Sequence, residues 1–336
     1  MKENESEKSI KSIRITSLFD GAATGRVALT RIGFNIESYK SSEIDKNCLA
    51  VQNHNYPKEI QEGTFVQLGD VCGVTVDDIM DTDLLLVSSP CTSLSTINPH
   101  TPILGLDGPE SSLFFEAIRL LKGIKEANPN KEVYFIFENV ASMSNVNRYR
   151  MTAALAELYP NVQLLKYDSA EITASHRRRY YWMNIPNQTP LVPTGIRLSD
   201  VIENGYVDRE KANVLLGGNV TLTNGIARRY ARNIGNIIFK EQWFCDLPVE
   251  QKLLVYPKIQ EEVGYVGRTQ KNADPLAFTN GCYRVLSPLE CERCLGFDDG
   301  YISSAPISKT EKIKMVGLSY SPDVIGHIAK PLLNIL

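Results

Sequence analysis

A short stretch, residues 88–95, constrains most strongly how this 336-residue chain can fold. It follows the aliphatic run 83–87, which has the length and composition of a buried parallel β-strand. The pair Pro90-Cys91 therefore puts a thiol at the carboxyl edge of a sheet, where α/β folds build their sites. Pro90 fixes its own φ and restrains the residue before it, so the turn can aim the thiol. Taken alone, Cys91 has a simpler interpretation as a small buried residue, since free cysteine is among the most buried types.

A second apolar run, residues 13–19, predicts a strand that ends in the tract DGAATG, residues 20–25. A helix is predicted over 26–32. A strand, a tight glycine turn and a helix open a nucleotide-binding α/β unit, because glycine lets the backbone turn sharply near a ligand. The turn is not the GxGxxG of a dinucleotide fold, and it has no P-loop lysine. A small adenosine-bearing ligand without a pyrophosphate fits better.

Acidic residues close the next predicted strands. Strand 35–42 ends at Glu43, whose carboxylate could accept both ribose hydroxyls, and Asp45 begins the following helix. Asp70 closes a short third strand and could accept a hydrogen bond from an adenine amine. Each acid has a structural alternative, because Glu43 could simply begin a helix and Asp70 could be a turn residue.

Polar residues also end the apolar run 133–137, which continues as Glu138-Asn139-Val140. A carboxylate at the mouth of a buried strand is costly to desolvate unless it is partnered or used, and burial makes it hold its proton more tightly. Further on, Arg177 and Arg179 alternate onto one face of an extended segment that leads into strand 180–184. This pattern fits an anion clamp or a solvated basic patch.

Two other regions differ from this regular pattern. The polar segment 92–110 predicts a long loop of functional type, followed by a helix over 112–127 that Ser111 caps. Residues 185–280 predict a loop-rich inserted subdomain with short strands and many Asn and Gly. Its stretch 211–240 holds five basic residues and no acid, and this stretch is either a nucleic-acid face or solvated surface.

Composition excludes several classes of protein. With 43% hydrophobic and 22% charged residues the chain is an ordinary soluble globular protein, and no apolar run approaches the ~20 residues of a membrane helix. Residues 1–12 are polar and charged, which predicts a disordered tail and no signal peptide. The seven scattered cysteines predict reduced thiols in the cytoplasm. Cys291 and Cys294 lack a second pair for zinc and fit one face of a helix, so no metal is predicted.

The ordered motifs resemble those of the DNA cytosine-5 methyltransferases. The tracts SLFDGAATG, SSPCTSLS, HRRRYYW and GLSYSPDVIGH are most similar to the de novo branch of the animal enzymes. The resemblance covers roughly residues 13–184 and 283–335. The chain departs from the family at Thr92, where members usually carry Gln or Asn, and at Leu318, at a position that is often polar.

The resemblance implies an α/β fold, with a Rossmann-like S-adenosylmethionine-dependent methyltransferase sheet that has helices on both faces and a small loop-rich target-recognition subdomain. The implied organisation is a tail over 1–12, a catalytic and cofactor-binding domain over 13–184, a target-recognition subdomain over 185–280, and a segment over 281–336 that returns to the catalytic domain.

The resemblance also implies the roles of individual residues in the reaction. Cytosine C5 is too weak a nucleophile to attack a methyl donor until the thiolate of Cys91 has added to C6. Glu138 would hold the proton at N3, and Asn139 would fix the loop. Arg179 would contact the cytosine O2, while Arg177 would orient Cys91 or its flanking phosphate.

The implied methyl donor is S-adenosylmethionine, which leaves as S-adenosylhomocysteine. Its predicted site consists of Phe19, Asp20, Gly21, Thr24, Gly25, Glu43, Ile44, Asp70, Val71, Pro90, Ser319 and Tyr320. The implied partner is DNA, with the target base flipped out of the duplex. The residues predicted on the DNA side are Arg228, Arg229 and Arg232.

Alternatives remain open at this level. The chain could be an RNA (tRNA) cytosine-5 methyltransferase, a non-catalytic DNA-binding homologue, or an enzyme that transfers a bulkier group from another donor. The expected location is the cytoplasm, with nucleoid association if the chain is prokaryotic or phage-encoded, and a restriction-modification role is one expectation. The oligomeric state, monomer or homodimer, stays open.

Overall fold

A computed structural model describes residues 10–91, 93–94, 104–215, 235–248, 250–251 and 283–336. The chain divides into two compact units. Unit 1 comprises Met1–Tyr167, Arg178–Leu191 and Pro322–Leu336, and unit 2 comprises Asp168–Arg177 and Val192–Ser321. The domain boundaries inferred from the sequence stay a prediction.

Parallel strands form the centre of unit 1. The strands of its sheet are β1 Ser12–Leu18, β2 Asn35–Ser42, β3 Phe65–Gln67, β4 Leu84–Val87, β5 Tyr134–Val140, β6 Gln163–Asp168 and β7 Arg178–Met183. They form a seven-stranded sheet in the order β3-β2-β1-β4-β5-β7-β6. The first five are parallel where they pair, and β7 runs antiparallel to β5. The predicted α/β class is confirmed.

Both faces of the central strands are buried, which explains their continuous apolar runs. In β4, Leu84 and Leu86 point to one face and Leu85 and Val87 to the other, and all are at most 2% exposed. A strand covered on both faces has no solvent side on which polar residues could alternate.

Helices cover this sheet. In unit 1 they are α1 Thr24–Arg31, α2 Lys46–Asn55, α3 Pro57–Glu62, α4 Val76–Ile79, α5 Phe114–Ala127, α6 Asn145–Leu158 and, near the carboxyl terminus, Pro322–Ala329. Helix α5 carries an apolar stripe at helical spacing, which consists of Phe114, Ala117, Leu120, Leu121 and Ile124. The stripe packs in one cluster with Leu85, Val87, Phe135 and Phe137 of the sheet. Burial of each large side chain contributes about 1.5–3 kcal/mol.

The sequence prediction was wrong at Ser111. This residue begins a 3₁₀ turn, Ser111–Leu113, and α5 starts only at Phe114 without a side-chain cap. The Ser111 hydroxyl instead donates to the carbonyl of Pro90 over 3.4 Å. Other predicted elements lie within a few residues of the observed ones, as at α6, which begins at Asn145 instead of Arg148. Asp45 caps α2 as predicted, because its carboxylate accepts from the N–H groups of Asn47 and Cys48.

Unit 2 contains the two-stranded antiparallel pair β8 Ile238–Phe239 and β9 Tyr283–Arg284. Its described helices are α7 Gln242–Cys245, α8 Pro288–Leu295 and α9 Lys309–Leu318, so the helix Pro322–Ala329 of unit 1 is α10. The sequence did not predict α3, α4, α7 or α9.

Helix α8 starts with a capping box between Ser287 and Glu290 and ends at Gly296, whose φ is 88°. Cys291 and Cys294 lie on its buried face, as the spacing predicted, and burial raises the pKa of both thiols. In the described ranges no group of His, Cys, Asp and Glu is arranged to hold a metal ion. None of the described helices has the length and apolar character needed to cross a membrane.

Candidate active site

Within unit 1, the predicted site residues that follow β1 and β4 or end β5 lie at one edge of the sheet because these strands are parallel neighbours. Leu18, Val87 and Phe137 lie level with one another across β1, β4 and β5. The chain leaves β1 and β4 directly after this level, while β5 continues for three more residues, Glu138, Asn139 and Val140. The cofactor turn, the Pro-Cys turn and the Glu-Asn pair therefore share the carboxyl edge.

The Pro-Cys turn is fixed by hydrogen bonds to its backbone. The carbonyl of Cys91 accepts from the N–H of Leu94 over 2.9 Å, and the carbonyl of Pro90 accepts from Ser111. Cys91 is half-buried and packs against the main apolar cluster of unit 1. Packing and hydrogen bonds thus hold the turn that carries the thiol, while part of the residue stays accessible.

Glu138 is buried, with 5% of its surface exposed, yet its carboxylate has two polar neighbours. The hydroxyl of Ser88 donates to Oε2 over 3.0 Å. The Nε of Arg179 lies 2.7 Å from Oε1, although its N–H does not point at that oxygen, so the contact is an ion pair without hydrogen-bond geometry. Such a pair offsets part of the desolvation cost of the carboxylate.

Asn139 ties the end of β5 to the Pro-Cys turn. Its side-chain amide donates to the carbonyl and to the hydroxyl of Ser89 over 3.1 and 3.2 Å, and its Oδ1 accepts from the N–H of Val140. Removal of the amide would leave these buried groups of Ser89 without that donor.

Arg177 and Arg179 have different partners in the structure. Arg177 is buried, and its guanidinium donates to the carbonyls of Gly317 and Leu318 over 2.9 and 3.0 Å. These carbonyls belong to the last turn of α9, where backbone acceptors lack partners within the helix. Arg179 contacts Glu138 and donates to the carbonyl of Arg178. The predicted role of Arg177 at Cys91 stays a prediction.

The predicted cofactor turn has an unusual backbone. Phe19, Gly21 and Ala23 have φ values of 57°, 63° and 59°, in the left-handed region. Two of these residues carry a Cβ, and each such conformation costs on the order of 1–3 kcal/mol. Both backbone groups of Gly21 are held by side chains: its N–H donates to Glu43 over 2.8 Å, and its carbonyl accepts from Gln52 over 2.8 Å.

The carboxylate of Glu43 is largely occupied by backbone donors. Oε1 accepts from the N–H groups of Ile44 and Asp45, and Oε2 accepts from Gly21. A carboxylate offers roughly four acceptor positions. With these bonds in place, Glu43 has capacity for one ribose hydroxyl, whereas the sequence suggested two.

Asp20 points its carboxyl group into the protein. It is 3% exposed, accepts from the hydroxyl of Tyr39 over 2.7 Å, and lies 3.4 Å from the side-chain amide of Gln52. Burial raises the pKa of Asp20 to about 7, although hydrogen bonds from Ser17, Tyr39 and Ser41 oppose the rise. Its charge therefore changes near neutral pH beneath the cofactor turn.

The remaining cofactor residues of unit 1 offer groups that suit an adenosine. Ile44 exposes 72% of its surface beside Glu43, which provides an apolar face for a base. Asp70 is exposed, and its carboxylate accepts a local hydrogen bond from the N–H of Cys72 over 3.0 Å. Thr24 has a buried hydroxyl without a described partner. A Cβ at Gly21 would meet nothing within 4 Å, which leaves open space above the turn. These features fit the predicted ligand.

The remaining residues of the predicted cofactor and DNA sites lie in both units or outside the described residues. Val71 is buried, Pro90 is half-buried and Gly25 lies in the buried first turn of α1. Ser319 and Tyr320 belong to unit 2, directly after α9. Thr92 and the arginines Arg228, Arg229 and Arg232 lie outside the described residues.

Sequence reasoning missed Ser88, Tyr39 and Gln52 as supports of the site. Ser88 stands in the tract that the sequence singled out, but nothing local indicates that its hydroxyl reaches β5. Tyr39 and Gln52 lie in ordinary strand and helix positions and carry no motif. Their contacts depend on the packing of β2 and α2 against the cofactor turn.

Comparisons with known proteins agree with this geometry. A model of the family described as C-5 cytosine-specific DNA methylase matches residues 13–334. The type II methyltransferase M1.ScrFI of Lactococcus lactis subsp. cremoris is 25% identical over 355 residues, which cover 99% of this chain and 80% of the relative. The type II methyltransferase M.Bsp6I of Bacillus sp. (strain RFL6) is 24% identical over 339 residues, which cover 95% of this chain and 98% of the relative.

The fold is similar to that of a solved methyltransferase, EhMeth of Entamoeba histolytica. The TM-score is 0.66 at 14% sequence identity, and the match covers 97% of this chain and 99% of the other. At this level of identity the likeness concerns the fold alone.

Proposed function

The chain belongs to the C-5 cytosine-specific DNA methylase family, and we propose that it transfers a methyl group to C5 of cytosine in DNA through a covalent bond between Cys91 and C6. The observation that carries the site assignment is the hydrogen bond between Ser88 and Glu138. Through this bond the tract that contains Pro90 and Cys91 directly contacts the buried carboxylate of Glu138. A nucleophile and a proton-holding group are thus paired at one sheet edge.

The reaction divides between these residues. The thiolate of Cys91 forms a bond to C6, which makes C5 nucleophilic. Glu138 holds a proton at N3 and so limits the negative charge that the addition places on the ring. After C5 has taken the methyl group, the C5 proton leaves to a base, the S–C6 bond breaks, and the thiolate is restored. Arg179 is proposed to contact the cytosine O2 while it stays close to Glu138.

The methyl donor proposed for this site is S-adenosylmethionine, whose sulfonium supplies an electrophilic methyl group. Gly21 and Thr24 would line the turn around the methionine part, and Glu43 would accept one ribose hydroxyl. Asp70 and the exposed side chain of Ile44 would contact the adenine. We further propose that the subdomain 185–280 chooses the target.

A tritium-transfer assay tests the function directly. Purified protein is incubated with S-adenosyl-L-[methyl-³H]methionine and with DNA or tRNA, and label is expected at cytosine C5 in DNA. Transfer to tRNA in preference to DNA would favour the RNA-modifying alternative. DNA that contains 5-fluorocytosine should trap the wild-type protein covalently, because the fluorine blocks loss of the C5 substituent.

Two cysteine variants test in this assay which thiol is the nucleophile. Cys91→Ser is expected to abolish transfer and trapping while its affinity for the donor stays within a few-fold of wild type. Cys72→Ser, at an exposed thiol near the predicted adenine contact, is the matched control and should still form the adduct. If Cys91→Ser formed the adduct, the nucleophile would lie elsewhere.

A further inference from the structure

The hydroxyl of Ser88 is the one neutral group that contacts the carboxylate of Glu138 among the described hydrogen bonds. Ser88 directly follows β4 and is half-buried, and its backbone N–H donates to the carbonyl of Leu18 over 3.2 Å. The serine backbone is therefore anchored to β1, so its hydroxyl is presented to β5 from a fixed position.

The other groups around Glu138 differ from Ser88 in the hydrogen bonds that they can make. From β7, Arg179 approaches Oε1, and Tyr181 is the register partner of Glu138. From the Pro-Cys turn, the nearby titratable group is Cys91. A guanidinium has a positive charge and only donors, so Arg179 favours the ionised carboxylate. A serine hydroxyl has a donor and two acceptor positions.

This difference matters because the proposed reaction needs Glu138 in two protonation states. The ionised form accepts the hydrogen bond of Ser88 on Oε2. When Oε1 carries the proton that serves N3, Oε2 is still an acceptor, so the Ser88 hydroxyl can donate to it in both forms without movement of either side chain. An apolar residue at this position would leave a buried carboxyl oxygen without a partner in both forms.

We propose that Ser88 is a positioning residue for Glu138, which keeps the carboxyl group in one orientation while it gains and loses the proton that serves cytosine N3. The inference rests on the proposed function, and it adds to that function a residue to which neither the family description nor the motif pattern assigns a role. Ser88 does not need to touch the base, since it acts through Oε2 of Glu138.

The first test compares steady-state methylation by Ser88→Ala and Ser88→Thr with wild type. Loss of a hydrogen bond to an ionised group should lower kcat about tenfold or more in Ser88→Ala, with the KM for S-adenosylmethionine unchanged. Ser88→Thr retains the hydroxyl and should recover most of kcat. Ser38→Ala is the matched control, because the buried hydroxyl of Ser38 has no described partner, and this variant should behave as wild type.

The second test is a double-mutant cycle, which separates action through Glu138 from a merely structural defect at Ser88. In a Glu138→Gln background, Ser88→Ala should have a smaller effect on the rate of 5-fluorocytosine trapping than in wild type, because the two residues act as a unit.

A kcat within twofold of wild type in Ser88→Ala would overturn the proposal, and so would a loss of kcat that Ser88→Thr does not restore. Equal effects of Ser88→Ala with and without Glu138→Gln would do the same. Failure of the proposed function is distinguishable, because wild type itself would then transfer no methyl group to cytosine in DNA.

Discussion

Glu43 accepts the backbone N–H of Gly21 over 2.8 Å, so the acid predicted to bind ribose also holds the cofactor turn in shape. The two roles share one carboxylate, because Oε1 is already bonded to the N–H groups of Ile44 and Asp45. A change at this residue therefore affects a ligand contact and the strained turn together.

Glu43→Ala is expected to weaken binding of S-adenosylmethionine by about 1–3 kcal/mol, which is the range for a lost hydrogen bond to a charged group. We expect a loss near the upper end of this range, because the substitution also distorts the cofactor turn. Isothermal calorimetry measures the affinity. Glu37→Ala, at an exposed acid on β2, the strand that Glu43 directly follows, is the control and should bind normally. Unchanged affinity in Glu43→Ala would place the ribose contact elsewhere.

Variants of Asp70 distinguish its predicted contact with adenine from its hydrogen bond to the N–H of Cys72. Asp70→Ala removes the bond to the N–H of Cys72 and the adenine acceptor, and is expected to cost about 1–3 kcal/mol of donor affinity. Asp70→Asn retains an oxygen for either role and should cost less. The control is Asp77→Ala, an exposed acid in the next helix. A normal affinity in Asp70→Ala would refute the adenine contact.

Asp20 should make stability depend on pH between about 4 and 7. Its folded-state pKa of about 7 lies above the ordinary value of 3.8, so the native state binds the proton more tightly than the unfolded chain does. The stabilisation is present in full below pH ~4 and is lost as pH rises through about 7. Over this interval the free energy of unfolding of wild type should fall relative to that of Asp20→Asn, by a few kcal/mol at most. Urea unfolding of both proteins at several pH values measures this, and parallel curves would contradict it.

Arg177 distinguishes a catalytic role from a structural one. Its guanidinium donates to carbonyls in the last turn of α9, so Arg177→Ala should lower the free energy of unfolding by about 2–4 kcal/mol through lost bonds at a buried site. Arg178→Ala, an exposed neighbour, should be close to neutral. If Arg177→Ala were as stable as wild type but failed to form the 5-fluorocytosine adduct, the role at Cys91 predicted from the motif would be supported instead.

Target choice is predicted to depend on Arg228, Arg229 and Arg232. If these arginines contact only phosphates, the triple Ala variant should bind all sequences more weakly and show a salt dependence flatter by roughly one unit per contact. An arginine that reads a base edge should instead relax the flanking-sequence preference at a cost of about 1–3 kcal/mol on the preferred site. Methylation is measured on a randomised DNA library over a salt series. Unchanged sites and rates would mean that the stretch is only surface.

The sequence by itself determined most strands of the sheet in unit 1 and the polar residues that follow them. Strands β4 and β5 are apolar on both faces, so their existence and burial follow from composition over a few residues. The resemblance to the family implied one site for Cys91, Glu138 and Glu43, and parallel strands, which present their carboxyl ends at one edge, are consistent with that grouping.

Only the tertiary structure decided which side chains support that site. Ser88 and Glu138 are 50 residues apart, and Arg177 and Gly317 are 140 apart. Their bonds depend on which strands pair and on which side chain occupies the remaining space, and no local pattern encodes either. The same holds for Asp20, which shares a tract with ligand-facing residues but turns its carboxyl group toward Tyr39, because burial and hydrogen bonding are properties of the assembled core.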